Sequence, residues 1–67
     1  MNSKFDSVVR NYSKGYDEEY KNSDMVRKKE IREKVFNSIR KDASVVAKDF
    51  KELEASITRY FNSVMHQ

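Results

Sequence analysis

Apolar side chains recur at alternating spacings of three and four along the second half of the chain: Phe36, Ile39, Ala43, Val46, Phe50, Leu53, Ile57, Tyr60, Val64. This is a heptad seam in which every a and d position is apolar or aromatic, and neither Gly nor Pro interrupts it. A second, shorter pattern sits at the start. Phe5, Val8, Val9 and Tyr12 share one face at i, i+3, i+4 and i+7, predicting a short amphipathic helix over residues 3–14. Ser3 fits its N-cap, with Asp6 three residues on completing a capping box. Gly15 reads as the residue that ends this helix in a left-handed turn. Residues 15–23 form a polar, Tyr-rich connector, and the run Asn22, Ser23, Asp24 is the strongest helix-start signal in the chain.

From Asp24 onward two arrangements compete. In one, residues 24–65 form a single heptad-patterned helix of roughly 63 Å that must pair with a second copy or a partner to cover its seam. In the other, the chain breaks near Asp42–Ser44, where Asp42 or Ser44 caps a new helix, and a compact three-helix bundle results. The phase of the seam passes through Ala43 unchanged and no Gly marks a turn, so the long, oligomeric helix is the reading the pattern favours. The d positions Ile39, Val46, Leu53 and Tyr60, with Phe36 and Phe50 at a, suit antiparallel or mixed association better than a parallel zipper. Phe61 widens the apolar face near its C-terminal end. The predicted protein interface is therefore Phe36, Ile39, Val46, Phe50, Leu53, Ile57, Tyr60, Phe61 and Val64. On this reading Phe50→Asp abolishes association and most of the helicity.

Composition narrows the class further. The chain is 67 residues long, enough for one all-α domain but short for a self-sufficient core. Cys is absent and His66 is the only histidine, which excludes disulfides and a multi-His zinc site within one chain. A single Gly and no Pro disfavour hairpins. No apolar run approaches the ~18 residues of a membrane span, and the N-terminal stretch lacks a signal-peptide core, so the expectation is a cytoplasmic protein.

The net charge of +3 is unevenly spread. Residues 24–41 carry seven basic side chains, Arg27, Lys28, Lys29, Arg32, Lys34, Arg40 and Lys41, against three acidic ones. A basic helix leading into heptads resembles the layout of zipper-type DNA-binding proteins, and those seven residues are the candidate nucleic-acid contacts. The Asn and paired alanines of a basic-zipper reading helix are absent, and Glu30, Ile31, Glu33 and Val35 interrupt the basic run. A solvated helix face, its Lys and Arg stems covering apolar flanks, accounts for the same residues.

Tyr12, Tyr16 and Tyr20 repeat at i+4 and could stack on bases or anchor an interface, although Asp17, Glu18 and Glu19 oppose a phosphate backbone there. The bland alternative is packing on a neighbouring helix with hydroxyls at the rim. Nothing in the chain builds catalysis: acids are scattered, Cys is absent, and there is no Gly-rich phosphate loop. The expected function is that of a non-enzymatic, all-helical interaction protein, with no cofactor, metal or small-molecule substrate. It would be an adaptor, regulator, inhibitor or chaperone-like subunit that pairs with itself or a protein partner. A dimeric DNA-binding regulator is the competing expectation.

Overall fold

In the computed structural model, which describes residues 3–67, the heptad seam folds back on itself at Ala43–Asp49. Helix α1 spans Asp6–Ser13, α2 Asp17–Lys21, α3 Met25–Asp42 and α4 Phe50–Met65. A 3-10 turn over Lys14–Tyr16 joins α1 to α2, so the two make one bent arm that packs with α3 and α4 as a three-helix bundle. The principal extents are 32 × 23 × 17 Å, half the length a continuous 24–65 helix would need. The radius of gyration, 11.3 Å, matches the ~11 Å of a compact chain of this size. The all-α class is as expected; the arrangement is the three-helix alternative, and the single long helix does not form.

The break has a local cause. At the end of α3 the Ala43 N–H donates to the Ile39 carbonyl at 2.9 Å, and the Val45 N–H reaches back to the Arg40 carbonyl at 3.1 Å. Between them Ser44 adopts φ 51°, the left-handed conformation of a Schellman terminus. Glycine usually fills that position; here serine does. Val46 is extended (φ −82°, ψ 154°) and a 3-10 turn over Ala47–Asp49 leads into α4.

The other termini follow the sequence more closely. Asp24 caps α3, its Oδ1 accepting from the Arg27 N–H at 2.8 Å. Only half of the predicted Ser3–Asp6 box forms: Asp6 reaches back to the Ser3 N–H, but Ser3 Oγ accepts from Phe5, and the Asp6 N–H goes to the Ser3 carbonyl. The Phe5 N–H donates to Ser3 Oγ at 3.1 Å and the Ser3 N–H to Asp6 Oδ2 at 3.0 Å. The first α-helix ends at Ser13, a break near Gly15 as expected, but not through a left-handed glycine. Among the described residues no glycine has positive φ, and the chain tightens there into a 3-10 turn and continues into α2.

The core draws from all three layers. Ile31, Val35 and Ile39 of α3 meet Leu53, Ile57, Phe61 and Val64 of α4, with Phe5, Val9 and Tyr20 closing the third side. Tyr20 lies flat against Phe61, ring centroids 4.2 Å apart. Polar side chains staple the arm to the bundle. Tyr12 Oη donates to Asp42 Oδ2 at 2.7 Å, Tyr60 Oη to Asp17 Oδ1 at 2.8 Å and Ser56 Oγ to Asp6 Oδ1 at 2.6 Å. The tyrosine stripe thus packs on neighbouring helices with its hydroxyls at the rim.

Candidate functional site: the groove between α3 and α4

Folding back the seam divides the predicted interface residues into two sets. Ile39, Leu53, Ile57, Phe61 and Val64 are buried in the chain's own core, where no second helix can reach them. Tyr60 is half-buried and committed to Asp17. Phe36 and Phe50 are half-buried and meet edge to face with centroids 5.4 Å apart, while Val46 is 52% exposed in the turn. Phe36, Phe50 and Val46 keep surface that no polar contact within the chain already claims.

Phe36 stands on the α3 wall of a groove between α3 and α4, and Phe50, in edge-to-face contact with it, lies at the end of the groove nearest the turn. The open cleft has a volume of about 410 Å³ and is lined by Lys29, Arg32, Glu33, Phe36 and Asn37 on α3 and Glu54, Ile57 and Thr58 on α4. The geometry follows from periodicity. Met25, Lys29, Arg32, Phe36 and Arg40 share one flank of α3 at three- and four-residue steps. Phe50, Glu54, Thr58 and Met65 share the facing flank of α4. The helices run antiparallel, so Arg40 lies over the Phe50 ring at 5.9 Å, whereas Met25 and Met65 come to the opposite end. Those methionines are 84% and 41% exposed, which extends the apolar surface along the groove. Sequence reading misses Met25 because it lies outside the heptad seam, whereas Met65 adjoins the apolar face that Phe61 widens.

The basic residues are also divided. Lys29, Arg32 and Arg40 belong to the groove flank, and Arg27, Lys34 and Lys41 to the other side of α3. Arg27 donates its Nε–H to Glu19 Oε2 at 2.8 Å and also meets Glu30, contacts that raise its pKa, the Glu19 hydrogen bond first among them. Lys28 covers the Tyr20 ring at 5.7 Å, and Arg32 donates to Tyr20 Oη at 2.6 Å. The zipper layout is lost with the continuous helix. Two of its cations, Lys29 and Arg32, line the groove and Arg40 lies over Phe50 at its end; among the described residues none of the three has a carboxylate within salt-bridge distance.

On the opposite side of α4, a smaller cleft is occupied by the polar staples. Asp6 accepts from the Ser56 hydroxyl and the Ser3 N–H, and Arg59 Nη2 stands 3.1 Å away. These interactions, led by the Ser56 hydrogen bond, hold the Asp6 carboxyl below its ordinary range. Burial, and then the bond to Asp17, push the Tyr60 phenol up to about 12. These shifts belong to the staples that fasten the arm.

No protein-family model, curated protein or solved structure matches this chain. Among the described residues no group of His, Asp and Glu could hold a metal ion, and no helix is long and apolar enough to cross a membrane.

Proposed function

We propose that this chain is a small, non-enzymatic binding module that docks a protein partner in the groove between α3 and α4. The observation that carries the reading is the Phe36–Phe50 pair. A 67-residue chain with ten buried hydrophobic side chains among its described residues still leaves two phenylalanines half-open at the groove. Aromatic side chains over which an Arg is already poised are the residue types that dominate binding energy at protein interfaces. The pairing expected of the seam thereby changes character. Instead of zipping with a second long helix, the module would offer a preformed cleft.

Selection of peptides of about 16 residues from a random display library tests this, the length matching the α3 flank from Met25 to Arg40. Immobilised wild-type chain should enrich helical peptides that a folded Phe36→Glu, Phe50→Glu chain fails to retain. Equal enrichment on both chains would overturn the groove as the binding surface. Sedimentation of the wild type should give a single-chain mass; a dimer that these substitutions dissociate would assign the groove to a second copy instead.

A further inference from the structure

Resting on that reading, the structure assigns the groove an occupant of definite chemistry: an acidic amphipathic helix of a partner protein, lying along α3 and α4 as the fourth helix of the bundle. Its shape argues for a helix. The strip from Met25 and Met65 to Phe50 and Arg40 is about 23 Å long, the rise of about four helical turns. The arm packs against the other side of the α3–α4 pair, so this side is where a four-helix bundle would place its missing member.

The charge argues for carboxylates on that helix. Lys29, Arg32 and Arg40 sit along the α3 wall, and Lys51 follows Phe50 on the outer side of α4, against Glu33 and Glu54. The cleft lining itself balances, Lys29 and Arg32 against Glu33 and Glu54, and Arg40 and Lys51 towards the turn tip the strip positive. Arg27 and Arg59, elsewhere on the surface, have found acidic partners within the chain. In the groove Arg32 already donates to Tyr20 Oη and Arg40 lies over Phe50, but like most cations of the chain these two and Lys29 meet no carboxylate among the described residues, and an incoming one would find them open. Glu33 and Glu54 lie inside the same groove, which sets it against a continuous phosphate backbone and favours a ligand whose charges are spaced. Exposed Met25 and Met65 provide adaptable apolar contacts at one end, and Phe36 and Phe50 rigid ones at the other. The occupant would therefore present apolar residues at i, i+3, i+4 and i+7, flanked by Asp or Glu.

The display selection decides the chemistry. Enriched peptides should be rich in Asp and Glu beside an apolar stripe, and a synthetic one should bind the full chain more weakly as salt rises from about 50 to about 300 mM. Lys29→Glu and Arg40→Glu, both at exposed positions, should keep the fold and each weaken binding about fivefold or more. Neutral or basic peptides, still dependent on Phe36, would overturn the acidic occupant while leaving the groove reading standing. Failure to enrich any Phe36-dependent peptide would overturn both. Single-stranded or duplex oligonucleotides that displace the acidic peptide and bind more tightly would reassign the groove to nucleic acid.

Discussion

The Tyr20 ring lies nearly parallel to the Phe61 ring, 17° between planes and 4.2 Å between centroids. It joins the polar connector to the apolar seam, two segments that the sequence presents as unrelated. Tyr20 is 4% exposed although its neighbours are Asp17, Glu18, Glu19 and Lys21, because its hydroxyl accepts from Arg32 while its ring takes the place of a core residue. Phe61→Ala should cost about 3–5 kcal/mol, a large part of the roughly 3–10 kcal/mol available to a chain of this length. Tyr20→Phe keeps the stack and removes the acceptor, at about 1 kcal/mol. Urea unfolding of the two variants should separate these effects.

The all-α class, the first amphipathic helix and a helix start at Asn22–Asp24 were legible in the pattern, whereas the turn that makes the bundle was not. The reason is arithmetic. Asp42 ends α3 and Phe50 begins α4, so the connecting segment is one heptad long. Ile39 and Leu53 therefore keep the phase of a continuous seam while lying on antiparallel helices. The a and d residues of the skipped heptad, Ala43 and Val46, are exposed. The groove was half-legible: Phe36 and Phe50 stood out as bulky seam positions, but their separation from the buried residues depends on the hairpin. Its cationic wall was visible only as part of a longer basic run.

Glycine occurs once, and not at the residue with left-handed backbone. Ser44 sits at φ 51°, where a side chain costs ~1–2 kcal/mol relative to glycine. Gly15 has right-handed backbone, and a Cβ added to it meets nothing within 4 Å. Ser44→Gly should raise stability by about 0.5–1 kcal/mol after the entropy lost by the freer unfolded chain, and Gly15→Ala by about 0.4–1 kcal/mol. Exchanging the residues, with Ser at 15 and Gly at 44, should raise the melting temperature. A lower value in Ser44→Gly would contradict the Schellman terminus.

Ser13 is fully buried and its hydroxyl has no hydrogen-bond partner among the described residues. Ser56, almost as deep, differs in donating to Asp6. Ser13→Ala should therefore stabilise the chain by about 1 kcal/mol, since it removes a polar atom that folding leaves unpaired. Ser56→Ala should destabilise it, because Asp6 loses a donor. Opposite signs for two buried serines, read by thermal unfolding, check the assignment.

Two staples titrate in opposite directions. The Asp6 carboxyl lies below its ordinary value, chiefly through the Ser56 hydroxyl, so its contribution is present above the unfolded carboxylate range near pH 4 and fades as pH falls through the lower, folded value. The Tyr60 phenol is raised to about 12 by burial and by Asp17; its contribution is full below about pH 10 and disappears as pH climbs through 12. Asp6→Asn should flatten the acid limb of the stability profile without touching the alkaline one. Tyr60→Phe should do the reverse.

Substitutions within the seam should separate core from groove. Leu53 is fully buried, and a carboxylate there would lie among Ile39, Ile57 and Phe61 with no partner, so Leu53→Asp should cost several kcal/mol and abolish most of the helicity. Phe50 is half-buried, its ring bounded by Phe36 and the Arg40 guanidinium. Phe50→Asp should cost only about 1–2 kcal/mol, because the aspartate can reach water and lies near Arg40. The loss of helicity expected from a continuous seam thus moves from Phe50 to Leu53, while the loss of association stays with Phe50. Circular dichroism and peptide binding measured on both variants distinguish the cases: a helical Phe50→Asp chain that no longer binds places Phe50 at the interface, and an unfolded one returns it to the core.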